Sequence, residues 1–333
     1  MSVQHVRRYA CIAIGLCLCN LAPLNAAQSG AKDAALAYPS KPVRLIIPFP
    51  PGGSNDIVGR YVAAQLTEWF GRQVIVDNRA GADGIIGSEI AARSEPDGHT
   101  LLVISTAFPM NAAIHKLPYD SMRSFTWISI LGSGPTILAA FSNLQASSVK
   151  DIVALGKAKR GELLYASSGI GGFNHFAAEL FRNLSGVDMV HIPYKGGGPA
   201  IIGVISGQAH IIFASTVLSL PHIRSGKLKA LGTGGTKRSA VLPDIPTIAE
   251  GGVTGYDASN WWGVLGPAGM PSNIVHRLNQ IIGTIMSLPE TRKRFATEGA
   301  EPMTLTPHAF GKLIVAEIAK WKQVAMESGI RAD

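Results

Sequence analysis

The residues best suited to chemistry form one short run, Pro48-Phe49-Pro50-Pro51-Gly52-Gly53-Ser54-Asn55-Asp56. Gly52 and Gly53 permit a tight turn and a close approach of a ligand to the backbone. Ser54, Asn55 and Asp56 are all good N-cap residues. The apolar run Leu45-Ile46-Ile47 precedes them, and an apolar stripe at helical spacing (Val58, Val62, Leu66, Phe70) follows. Strand, glycine loop and helix N-terminus is the layout that turns backbone N–H groups toward an anion. Two glycines alone describe an ordinary capped βα turn just as well. Asp56 is accounted for as a cap, since the helix dipole favours a carboxylate in the first turn.

A second run, Ser167-Ser168-Gly169-Ile170-Gly171-Gly172, has the same character. Gly169 and Gly171 share the spacing of a dinucleotide loop, but Asn174 stands where a third glycine belongs and no acid follows at the required distance. The loop therefore reads as a second anion cradle, and no cofactor is expected. His175 lies within a turn of it. Paired with Ser168 it would make a nucleophile of an exported hydrolase. The preferred alternative is that His175 fixes the loop backbone by hydrogen bonding. His191, in an apolar strand, reads as a satisfied core histidine. No histidine spacing suggests a metal site. Asp77 ends a strand and ties down the turn after it. Trp261 and Trp262 line a slot or pack a crossing strand.

These residues need a scaffold. Strands are expected over 45–47, 73–77 and 100–105, with helices over 58–70 and 85–93. Alternating strands and helices predict a mostly parallel sheet flanked by helices. In such sheets ligands bind outside the carboxyl ends of the strands, where 51–54 and Ser105-Thr106-Ala107 would sit. Residues 127–140 form a long apolar crossing into a second lobe. There, strands at 163–166, 190–194, 211–214 and 228–231 alternate with helices at 151–159 and 173–184 and one opened by Pro199. Residues 215–220, with Ser215 and Thr216, read as a loop. Residues 260–267 return, and helices follow over 272–288, 290–298 and 307–328, the last clasping the first lobe. The expected fold is an α/β clamshell, with lobe 1 at 28–131 plus 262–333 and lobe 2 at 132–261.

Residues 1–27 have the layout of a secretory signal: Arg7-Arg8, an apolar stretch over 9–24, and Asn25-Ala26-Ala27. Removing them leaves about 306 residues, enough for two domains, and removes Cys11, Cys17 and Cys19, the three cysteines of the chain. The remainder then has no disulfide, and its core must carry stability; 47% of the chain is hydrophobic. The net charge of +8 is thinly spread, which favours anionic ligands mildly and argues against nucleic acid.

Several blocks together, KPVRLIIPFPPGGSNDIVGR, VIVDNRAGADGIIGSEIAARSEPDGHTLL, LLYASSGIGGFNHFAAELF, VHIPYKGGGPAIIGVISGQ and GYDASNWWGVLGPAGMPSNIVHRLN, resemble the Bug-type extracytoplasmic solute receptors in the same order. These are the binding proteins of tripartite tricarboxylate transporters. The resemblance implies a periplasmic, monomeric, two-lobed periplasmic-binding fold. It implies a small organic carboxylate held by Gly52, Gly53, Ser54, Asn55 and Asp56 from one lobe and by Ser168, Gly169, Gly171 and His175 from the other. Ser105, Thr106, Ala107, Ser215 and Thr216 would shape the slot. The partners implied are membrane transporter subunits, or a sensor kinase sharing the same cleft. Many relatives carry an acid where this chain has Ala214-Ser215, and its loss points away from a ligand bearing an ammonium group.

Overall fold

The computed structural model describes residues 38–331 apart from 298. The signal read over 1–27 lies outside the described residues. The first lobe opens with β1 (Val43–Ile47), α1 (Ser54–Phe70), β2 (Val74–Asn78), α2 (Ile85–Ala92), β3 (Thr100–Ser105) and α3 (Ala107–Ile114). β1 buries Val43, Leu45 and Ile47 on one face and Ile46 on the other. The unbroken apolar text Leu45-Ile46-Ile47 selects that two-sided burial. α1 lays Val58, Val62 and Leu66 against the first of these faces. α3 was not foreseen: it starts straight after Thr106, and its text AFPMNAAI has no polar face to give a helical period.

β4 (Phe125–Phe141) leads into α4 (Val149–Ala158), β5 (Leu164–Ser167), α5 (Phe173–Ser185), β6 (Val190–Pro193) and α6 (Gly197–Ile205). Then come β7 (Ile211–Ser215), α7 (Thr216–Arg224) and β8 (Leu228–Thr233). The expected loop over 215–220 is therefore the start of a helix. The Ser219 hydroxyl donates to the Ser215 carbonyl at 3.0 Å and is satisfied within the helix. The chain returns through β9 (Ser259–Pro267) to α8 (Ser272–Ser287), α9 (Pro289–Thr297), the short β10 (Glu301–Pro302) and α10 (Pro307–Ser328).

The strand order is β2-β1-β3-β9-β4-β7-β5-β6, with β8 and β10 also on β4. β4 changes partners along its length. Phe125 to Pro135 pair antiparallel with β9, and from Thr136 onward the strand pairs antiparallel with β7 on one edge and β8 on the other. Gly132 lies in the first part because a Cβ there would stand 2.6 Å from the Glu301 carbonyl. Among the described strands, β1 pairs parallel with β2 and β3, and β5 with β6 and β7. The fold is thus the two-lobed α/β clamshell, with a sheet made mixed by its two crossing strands.

α10 does more than clasp the first lobe. Phe310 and Ile314 enter a first-lobe cluster with Ile46, Leu102 and Trp261. Eleven residues on from Phe310, Trp321 enters the second-lobe cluster with Tyr165, Phe176 and Phe213, joined by Val324 and Ala325. The amphipathic stripe was read as one face for one lobe; it serves both.

Candidate functional site

The turn after β1 is locked by Asp56. Its Oδ2 accepts the Gly52 N–H at 2.9 Å and the Arg60 Nε–H at 2.9 Å, and its Oδ1 accepts from Asn78 Nδ2 at 2.9 Å. Asn78 Nδ2 also donates to the Phe49 carbonyl at 3.0 Å. Burial opposes ionisation of Asp56, but the bonds from Arg60, Gly52 and Asn78 prevail and hold its carboxyl below the usual range. Asp56 thus shapes the cradle from behind, and Gly52 has no N–H left to offer. The left-handed residue is Gly52, at φ +83°; Gly53 sits at φ −80°.

Gly53 is the N-cap of α1 and carries no side chain to cap it. The N–H groups of a first helical turn lack intrahelical acceptors. The same holds where other strands end. Thr106 before α3, Gly172 before α5 and Ser215 before α7 make no side-chain capping bond. By contrast, Ser148 caps α4 through the Asp151 N–H, and Thr306 caps α10 through the Ala309 N–H. The helices that start from β1, β3, β5 and β7 therefore leave their positive ends open.

Ser105 ends β3 and accepts from Asn55 Nδ2 at 3.3 Å; both residues are buried. Ser215 occupies the matching place at the end of β7, buried, with its hydroxyl unpartnered. The threonines that follow face elsewhere. Thr106 donates to the Ser259 carbonyl at 3.5 Å and accepts the Trp261 N–H at 3.1 Å. Thr216 donates to the Pro135 carbonyl at 2.5 Å. Ala107 is buried in the first turn of α3. Trp262 is fully buried in β9, and Trp261 meets Phe310 edge-on at 5.9 Å, so both tryptophans pack the crossing.

In the second lobe the glycine loop spends two donors on itself. The Gly169 N–H goes to Ser167 Oγ at 3.1 Å and the Gly171 N–H to His175 Nδ1 at 3.1 Å. Burial, then the nearby His191 and Arg182, push His175 down to about 3, so it is neutral and can accept. Its ring stacks on His191 at 4.1 Å, and His191 contacts Ser167 Oγ at 2.5 Å. Among the described residues, the Ser168 hydroxyl has no bond to His175. The loop abuts the far end of α3: a Cβ on Gly171 would lie 2.7 Å from Ile114 Cδ1.

Two residues escaped the sequence reading. Asp83, in the turn before α2, and Asn111, in α3, line a small hollow with Phe49, Ser105 and Phe108. An acid flanked by Ala82 and Gly84 is the available signal, and it reads as ordinary turn chemistry.

Residues 58–330 match the family described as tripartite tricarboxylate transporter family receptor. Protein BugT of Bordetella pertussis is 35% identical over 301 residues, which cover 90% of this chain and 92% of that one. An R. palustris protein solved with adipate superposes with a TM-score of 0.84 at 31% identity, covering 88% of this chain and 99% of that one. MatC from Rhodopseudomonas palustris, solved with bound malate, gives a TM-score of 0.79 at 28% identity, covering 86% and 99%.

Proposed function

Because the chain belongs to the tripartite tricarboxylate transporter receptor family, we propose that it is a monomeric periplasmic receptor that captures a small organic carboxylate between its lobes and delivers it to membrane transporter subunits. One observation carries this reading: the helices that follow β1, β3, β5 and β7 all begin without a side-chain cap. Open helix ends suit an anion. The two similar structures hold adipate and malate, both carboxylates.

The Gly53, Ser54 and Asn55 donors hold the carboxylate from the first lobe. From the second, Ser168 and the first turn of α5 hold it, with Gly169, Gly171 and His175 shaping that turn. Ser105 and Ser215 wall the slot. The lobes divide at 131/132 and 261/262, with the end of α10 packed on the second, and they close by a hinge at the two crossings. The receptor reading is supported over a hydrolase by His175 Nδ1 accepting the Gly171 N–H and by the lack of a Ser168–His175 bond among the described residues. Among the described residues no helix is long and apolar enough to cross a membrane. Hydrogen bonds to a charged group contribute roughly 1.5–3 kcal/mol each, so four or five support micromolar binding after association costs.

Calorimetry over a panel of mono- and dicarboxylates, with scattering measured for any pair that binds, tests this. Micromolar binding with compaction of the particle is expected. Turnover of ester substrates without carboxylate binding would favour a hydrolase.

A further inference from the structure

Ala82 and Asp83 take left-handed backbone conformations, φ 46° and 50°, the two non-glycine residues among the described ones to do so. Asp and Asn tolerate that region better than most side chains. The turn points the Asp83 carboxyl into the hollow beside the carboxyl ends of β1 and β3, between Pro48, Phe49, Ser105, Phe108 and Asn111. There Asp83 Oδ2 is sealed from solvent with no hydrogen-bond partner, and so is Asn111 Oδ1. Asn111 is 2% exposed and cannot turn its amide over, because its Nδ2 donates to the Asp83 carbonyl at 2.8 Å. Its oxygen is thus fixed as an acceptor. Asn55 Oδ1, on the partner of Ser105, is a third buried oxygen without a donor. Among the described residues no lysine, arginine or histidine lines the hollow. Buried polar atoms left unpaired are costly, and a buried carboxylate is the most costly of them.

We infer that this hollow recognises the second functional group of the ligand, and that the group is a protonated amine: the ligand is a small amino carboxylate. Its carboxylate lies at the open end of α1 and its ammonium between Asp83 Oδ2 and Asn111 Oδ1. The inference rests on the carboxylate-receptor reading given above. An ammonium presents three donors and no acceptor, which complements a pocket of acceptors. A second carboxylate presents acceptors alone. The acid missing at the end of β7 is supplied from the opposite lobe, which reverses the expectation drawn from Ala214-Ser215.

The charge state adds a sign. Burial raises the Asp83 carboxyl to about 7. Of the residues that line the hollow from the turn after β1, from α2, from β3 and from α3, Asp83 alone titrates. An ammonium needs Asp83 ionised, so affinity rises with pH through about 7. A dicarboxylate needs Asp83 protonated as a donor, so its affinity falls over the same range.

The test is calorimetry on the purified protein at about pH 6 and about pH 8. The probes are L-α-amino acids, β-alanine and 4-aminobutyrate, against succinate, glutarate and adipate. At least one amino carboxylate should bind, roughly tenfold more tightly at the higher pH, the change in the ionised fraction of a group titrating near 7. Asp83→Asn should weaken it tenfold or more. The pH comparison needs no variant and stands even if Asp83→Asn folds poorly. Dicarboxylates binding more tightly, with affinity falling as pH rises, would overturn the inference while leaving the receptor reading intact. Unchanged amino-carboxylate affinity in a folded Asp83→Asn would also overturn it, since the hollow then holds only water. Binding by neither set would remove the receptor reading and this inference together.

Discussion

Thr106 and Thr216 make the same connection one lobe apart. Each follows a serine at the carboxyl end of a strand, is fully buried, and turns its hydroxyl from the slot toward a crossing strand. Thr106 bonds to β9 at Ser259 and Trp261, and Thr216 bonds to β4 at Pro135, where that strand changes partners. The slot walls are therefore anchored to the two crossing strands, β9 and β4.

Thr216→Val keeps the shape and removes the donor to Pro135. Leaving a buried carbonyl short of a bond costs about 1–3 kcal/mol. Urea unfolding should show that loss, and Thr216→Ser should restore most of it. An unchanged midpoint for Thr216→Val would mean the bond has no role in holding the crossing.

Ser54 separates a ligand role from a capping role. Ser54→Asp places a carboxylate in the first turn of α1, which helps the helix by about 0.3–1 kcal/mol but repels an anion. Its melting temperature should hold or rise while carboxylate affinity collapses. Ser54→Ala should lose about 1–2 kcal/mol of binding. Wild-type affinity in Ser54→Asp would place the anion elsewhere.

His175 gives the second-lobe loop a pH limit. Its folded value of about 3 lies below the ordinary histidine value of 6.5. Protonation is therefore easier in the unfolded chain, so stability is complete above about 6.5 and falls as pH drops toward 3. His115, His191 and His210 are also lowered by burial and add to the slope. His175→Asn offers the Gly171 N–H an acceptor that does not titrate. Its melting temperature should fall less between about pH 7 and pH 4.5. A slope identical to wild type would assign the acid sensitivity to the other histidines.

Much of the frame was legible because it rests on local text. β1 to β3 and α1 follow from apolar runs punctuated by glycine and proline, and the glycine loops fall where strands end. What escaped is what depends on contacts between distant residues. Asp83 matters because Asn111, 28 positions later, brings it an unpartnered oxygen. The Gly169 and Gly171 donors are invisible as spent until Ser167 and His175 are seen accepting them. α3 carries one polar residue, Asn111, in otherwise apolar text, so no period marks it as a helix.

The double allegiance of α10 bears on how the chain matures. The first-lobe core needs Leu278, Ile282, Phe310 and Ile314 around strands laid down near residue 45. The second-lobe core draws Met110 from before the crossing and Trp321, Val324 and Ile330 from the far end. Each core therefore joins elements far apart in sequence, and neither is complete without residues beyond 270. Multidomain chains commonly fold unit by unit from the N-terminus; here α10 is common to both units and couples them. One helix seated in both cores makes the completion of either lobe depend on the other.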